Sequence, residues 1–301
     1  AAERRGWVTD VVSEKHSWRV KGYEVWHLVL ETEPGRIYEL ISPPLSGAPA
    51  DSAMLGNYTA ALYDTGWAST SSYTGLHVTA NAACLLDVDY DHRYAGAGAS
   101  AAAVLRLLLV WDQFHDQLRK LFSQRSATAI YCKSFSASFP ELYEAVARDW
   151  ETLTIAQAEE LLQAHSQDLF THKRSSDFVG RRDGYRNMPV NVCKFLDVDC
   201  CQECDKNEKA KWSGVEFRIF DTRFGEAMRL IVVFVQALVG KLCDLRAKGQ
   251  LAEALPAPSG TGAGGAEPLF AWLGLEWEPF RRVFVETAHG KEVGKKRRGS
   301  R

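Results

Sequence analysis

The chain has 301 residues, 46% of them apolar, which supports one large core or two smaller ones and excludes a largely disordered protein. A formal net charge of -2 gives no global reason to expect nucleic acid as a partner. Seven cysteines, three of them crowded at Cys200, Cys201 and Cys204, do not space out as a disulfide framework and point to a reducing compartment.

The N-terminal residues lead into no apolar run of the signal-peptide kind. Trp7 to Thr9 and Tyr23 to Leu30 read as strands, Pro34-Gly35 as a turn, and Arg36 to Ile41 as a second extended run stopped by Pro43-Pro44. Residues 22–45 are therefore expected to form an antiparallel hairpin with Glu39 near the end of its second strand. Ala50 to Gly66 is expected to be helical, with Asp51 as cap. Gly75 to Ala82 reads as another strand, with His77 and Thr79 on one side. Asp87, Asp89 and Asp91 lack the glycine and the closing glutamate of a calcium loop and read as a polar rim.

Ala101 to Phe122 reads as a helix whose core side carries Leu105, Leu108, Leu109, Phe114, Leu118 and Leu121. Ile130 to Phe139 is ambiguous. Pro140 opens a further helix, and Thr154 with Gln157 forms a capping box for the next. Cys193, Cys200, Cys201 and Cys204 lie in an insertion near 193–212 that holds either a structural zinc or free thiols.

Val215, Phe217 and Ile219 alternate with Glu216 and Arg218, the period of a strand with one apolar and one charged face. The carboxylate and the guanidinium, two residues apart, suit either a metal and a phosphate or an ordinary ion pair. Leu230 to Leu245 is apolar on nearly every face and is expected to be a central helix. Gln236 interrupts its greasiest part, which is too short to cross a bilayer. Residues 251–266, rich in glycine and proline, read as a linker. Residues 267–290 read as an aromatic segment that docks on the body or grips a partner, and 291–301 as a basic tail, either a frayed end in solvent or a surface for nucleic acid, anionic lipid or an import receptor.

Glu39-Leu40-Ile41-Ser42-Pro43-Pro44, Gly75-Leu76-His77-Val78, Arg125, Tyr185-Arg186-Asn187 with Asn191, and Gly214-Val215-Glu216-Phe217-Arg218 fall in an order that resembles the amidoligase family of carboxylate–amine ligases. The resemblance implies an α+β fold with a curved antiparallel sheet flanked by helices, a catalytic domain like those of glutamine synthetase and glutamate–cysteine ligase, over residues 1–250. It implies ATP and Mg2+ as cofactors and amide formation through an acyl phosphate. Glu39, Glu216 and His77 would hold the metal. Arg218, Arg125 and Arg186 would be catalytic. His77, Asn187 and Arg218 would contact nucleotide. The substrates would be a small carboxylate and an amine, and the setting intracellular, most simply the cytoplasm.

The chain departs from the family's pattern. It lacks the opening Gly-x-Glu-x-Glu strand and has Thr79 where a second histidine is usual. Either that strand belongs to a segment upstream of Ala1, or the chain is a non-catalytic structural or assembly module on a degenerate ligase fold, joining a protein partner or itself through 267–301.

Overall fold

The computed structural model describes residues 9–12, 26–32, 37–42, 45, 49–64, 75–81, 98–123, 133–150, 153–164, 188–192, 214–221, 225–247 and 255–286. They divide between two compact units. The first comprises Ala1–Thr70 with Arg223–Arg229, the second Ser71–Thr222 with Leu230–Arg301.

In the first unit, strands β1 (Thr9–Val12), β2 (Trp26–Thr32) and β3 (Ile37–Ile41) form a sheet in that order. The expected hairpin is present: β2 and β3 run antiparallel, with Leu28 opposite Leu40 and Val29 opposite Glu39. β1 pairs with β2 in parallel. Helix α1 (Pro49–Asp64) follows, with Asp51 in its first turn. On α1, buried Thr59 donates from its hydroxyl to the Leu55 carbonyl and accepts the Gly225 amide, so one side chain satisfies a second segment's backbone. Gly225 stands at φ 62, a conformation that a Cβ would strain.

The second unit holds β4 (Gly75–Asn81), β5 (Val190–Asn191) and β6 (Gly214–Asp221), with β6 in the middle and both neighbours antiparallel to it. Its helices are α2 (Gly98–Gln113), α3 (His115–Phe122), α4 (Phe135–Ser138), α5 (Pro140–Asp149) and α6 (Ile155–Ala164). Helix α7 (Glu226–Ala247) follows β6, and α8 (Glu267–Trp272), α9 (Trp277–Phe280) and a π-helix (Arg281–Glu286) come last.

The long helix expected over 101–122 is broken at Phe114, which takes φ -107 and ψ 9. Its predicted core side is nevertheless buried on both halves, from Leu105 through Leu121. The capping box on α6 forms as expected: the Thr154 amide donates to Gln157 Oε1 and the Gln157 amide to Thr154 Oγ1.

Rings dominate the core of this unit. Phe234 on α7 lies 6.2 Å from Trp111, 5.1 Å from Phe122 and 5.3 Å from Phe270, centroid to centroid. Phe122 also meets Phe220 of β6 and Phe284 of the π-helix edge-on. Phe270, Phe280 and Phe284 are buried, so the aromatic segment beyond residue 266 is seated on this unit's own helices. The stretch before it is ordered against α3. Gln117 Nε2 donates to the Gly260 carbonyl at 2.7 Å, and Lys120 Nζ donates to the Thr261 carbonyl.

The sheet implied by the family resemblance is corrected here. The described residues are predominantly helical, and their strands form two separate three-stranded sheets, one with a parallel pair, not one curved antiparallel sheet of the glutamine-synthetase kind. The sequence located β2, β3, β4 and β6, while β1 begins where the expected Trp7–Thr9 strand ends, Trp7 and Val8 lying outside the described residues, and β5 was not expected; alternation carries no information on which strand pairs with which. No described helix is long and apolar enough to cross a membrane. Cys243, on α7, is disulfide-bonded, and every other cysteine falls outside the described residues.

Phe234 has no accessible surface and joins α2, α3 and α8. Its replacement in Phe234→Ala is expected to cost about 3–5 kcal/mol, read as a lowered midpoint in urea denaturation followed by tryptophan fluorescence.

Candidate functional site

Strand β6 carries the charged pair that the sequence singles out. Val215, Phe217, Ile219 and Phe220 are fully buried, and the Phe217 ring lies 5.4 Å from that of Trp111 of α2, tilted at 47°. In the register with β4, Val78 is opposite Phe217 and Leu76 opposite Phe220, so Arg218 and Ile219 together face the single residue His77. This bulge explains how Phe217 and Phe220, three apart, both reach helix-borne rings, where a regular strand would turn them to opposite faces.

Glu216 and Arg218 are buried as well, at 6% and 9% exposure. Arg218 Nη2 donates to Glu216 Oε2 at 2.7 Å. The Arg218 backbone amide donates to the Pro189 carbonyl at 2.7 Å, extending the β5–β6 pairing by one bond. By register Glu216 lies between Thr79 of β4 and Asn191 of β5. A carboxylate and a guanidinium withdrawn from water are costly to bury and are held by each other's charge. Such a pair can also exchange partners: the guanidinium fork fits a carboxylate or phosphate, and the carboxylate fits an ammonium group.

A second polar group lies between α2, α3 and α4. Asp112, Gln113, His115, Asp116, Gln117, Ser134 and Ser136 line an open cleft of about 270 Å³. Asp112 Oδ1 accepts the amide and the hydroxyl of Ser136, at 2.9 and 3.1 Å, while Ser134 Oγ caps α4 by accepting the Ala137 amide. Burial, and after it the Asp112 charge, hold the Tyr143 phenol above its ordinary range. The sequence reading left Ile130 to Phe139 ambiguous and passed over this cleft. The available signal was a serine cap, Ser134, ahead of Phe135.

The sequence-selected residues distribute as follows. His77, Glu216 and Arg218 share the sheet of the second unit, His77 by its place in the register opposite the bulge. Glu39 belongs to β3, in the sheet of the first unit. Arg125, Arg186, Asn187, the cysteines of the 193–212 insertion and the basic tail lie outside the described residues. Among the described residues, no three His, Cys, Asp or Glu side chains are grouped so as to hold a metal ion.

No family model, no curated protein and no solved structure matches the chain. The amidoligase resemblance therefore has no support from the comparisons, and the described fold runs against it. With neither the family's sheet nor a cluster of metal ligands among the described residues, the reading as an ATP- and magnesium-dependent ligase, active or degenerate, is set aside. The segments behind the resemblance are short and mostly describe strand periodicity, which many folds share.

Removing one partner of a buried pair leaves the other charge uncompensated. Glu216→Ala is expected to destabilise the protein by about 3–5 kcal/mol. Glu216→Gln keeps an acceptor for Arg218 and should cost clearly less. Urea denaturation of both variants checks the order, and equal losses would argue against a role for the acceptor.

Proposed function

We propose that the protein binds a small zwitterion, of the α-amino acid class, at the Glu216–Arg218 pair on β6. The observation that supports this most is the pair itself: opposite charges 2.7 Å apart, nearly withdrawn from solvent, on the central strand of its sheet. A ligand bearing both a carboxylate and an ammonium could replace each side chain's present partner without leaving either charge unmatched, which a simple anion or cation could not do. By register, Thr79 of β4 and Asn191 of β5 are the strand neighbours of Glu216.

A rigid strand is a suitable support for such recognition, because its backbone is fixed on both edges by hydrogen bonds. The bulge adds to this by setting two β6 residues against one of β4, which concentrates the charged position beside His77. A protein partner gripped by the aromatic segment is not part of this reading, since Phe270, Phe280 and Phe284 are spent on the protein's own core.

Isothermal titration with glycine and with L-glutamate tests the proposal. Saturable binding of at least one is expected, weakened tenfold or more in Arg218→Lys, which keeps the charge but loses the planar fork. A folded wild-type protein that takes up neither compound, or an Arg218→Lys variant that binds unchanged, would overturn it.

A further inference from the structure

The glycine-rich stretch from Ser259 to Gly265 and the aromatic segment after it are held to the second unit by different means. The aromatic segment is anchored by buried rings: Phe270 packs on Phe234 and Phe280, and Phe284 on Phe122. The stretch before it, Ser-Gly-Thr-Gly-Ala-Gly-Gly, has no large apolar side chain to bury. It is tied down by polar contacts from α3, Gln117 Nε2 to the Gly260 carbonyl and Lys120 Nζ to the Thr261 carbonyl. Within it the Ser259 amide donates to the Gly265 carbonyl and the Gly265 amide to the Gly262 carbonyl, so it closes on itself as a compact loop. A Cβ at Gly265 would fall 2.2 Å from the Gly260 oxygen and 3.1 Å from Gln117 Cγ, so the closed loop fits against α3 only with glycine at this position.

We infer that residues 259–265 form a strap that opens and lifts from α3 while the aromatic segment stays seated. The contrast in anchoring carries the inference: polar contacts of modest net strength on one side of Ala266, desolvated rings on the other. Lifting has a defined consequence. Gln117 is the residue shared by strap and cleft, its amide nitrogen committed to Gly260 while its side chain lines the wall beside Asp112, Asp116, Ser134 and Ser136. With the strap raised, that amide becomes available to the cleft. The strap is thus a conformational device that sets the hydrogen-bonding character of the cleft, and it operates independently of the zwitterion reading at β6.

Amide hydrogen exchange of the full chain, resolved by NMR, provides the test. The Gly265 amide reports the strap, and the Leu273 and Leu275 amides, bonded to the Leu269 and Phe270 carbonyls, report the aromatic segment. In the wild type Gly265 is expected to exchange at least tenfold faster than Leu273 and Leu275. Lys120→Ala, at an exposed position, should accelerate Gly265 further by threefold or more and leave the other two unchanged. Gln117→Ala should do the same more strongly, and the exposed-site variant keeps the test open if the buried one folds poorly. Equal wild-type rates, rates that rise together in the variants, or a Gly265 rate untouched by Lys120→Ala would overturn the strap.

Discussion

The described part of the second unit depends on the ring contacts that radiate from Phe122 and Phe234. Each is an aromatic pair worth roughly 0.5–1.5 kcal/mol beyond the area it buries. Their arrangement matters more than any single value. Phe122 ends α3, Phe220 closes β6, Phe234 sits in the middle of α7, and Phe270 and Phe284 come from the last helices, so five elements distant in sequence meet at two residues. Ser123 adds a polar link next to the rings by donating its hydroxyl to Asp221 Oδ1 at 3.0 Å, fixing the end of β6 to the end of α3. The charged pair on β6 inherits its rigidity from this contact set.

β6 thus serves two purposes with one backbone. Its apolar residues and the displaced Phe220 complete the ring core, while Glu216 and Arg218 hold a buried charge pair. The bulge reconciles the two, because it lets the strand present Phe220 to Phe122 without giving up the alternation that separates Glu216 from Phe217. A sheet of three strands is small, and β5 contributes only Val190 and Asn191 to it. The helices, not extended pairing, hold this sheet in place.

Local features of the fold were legible in the sequence where one short-range rule decides. Thr154 and Gln157 announce the start of α6, Pro140 the start of α5, and the Leu105 to Leu121 pattern the buried side of α2 and α3. The hairpin of β2 and β3 followed from its turn and two extended runs. Pairing between distant segments was not legible. Nothing in Thr9–Val12 says that it runs parallel to Trp26–Thr32, and strand periodicity in Gly75–Asn81 and Gly214–Asp221 fits many sheets. The same limit let short strand-like segments resemble a ligase family whose sheet the described residues do not form. Of the candidate site, the Glu216–Arg218 pairing could be read from spacing on one strand, but its burial depends on the whole core. The cleft at Asp112 was hidden because its lining comes from two segments about twenty residues apart, joined only by the fold.

The composition of residues 256–265 invites a cut there when a shorter protein is wanted for expression. The ring packing makes that cut hazardous. Ending the chain before Glu267 would strip Phe122 and Phe234 of Phe270 and Phe284, and it would leave two neighbouring aromatic faces open to water on α3 and α7. Exposed rings of this kind recruit other chains. A fragment trimmed at an apparently dispensable boundary would therefore be lost to aggregation. A cut that keeps the described ring contacts has to fall beyond Glu286.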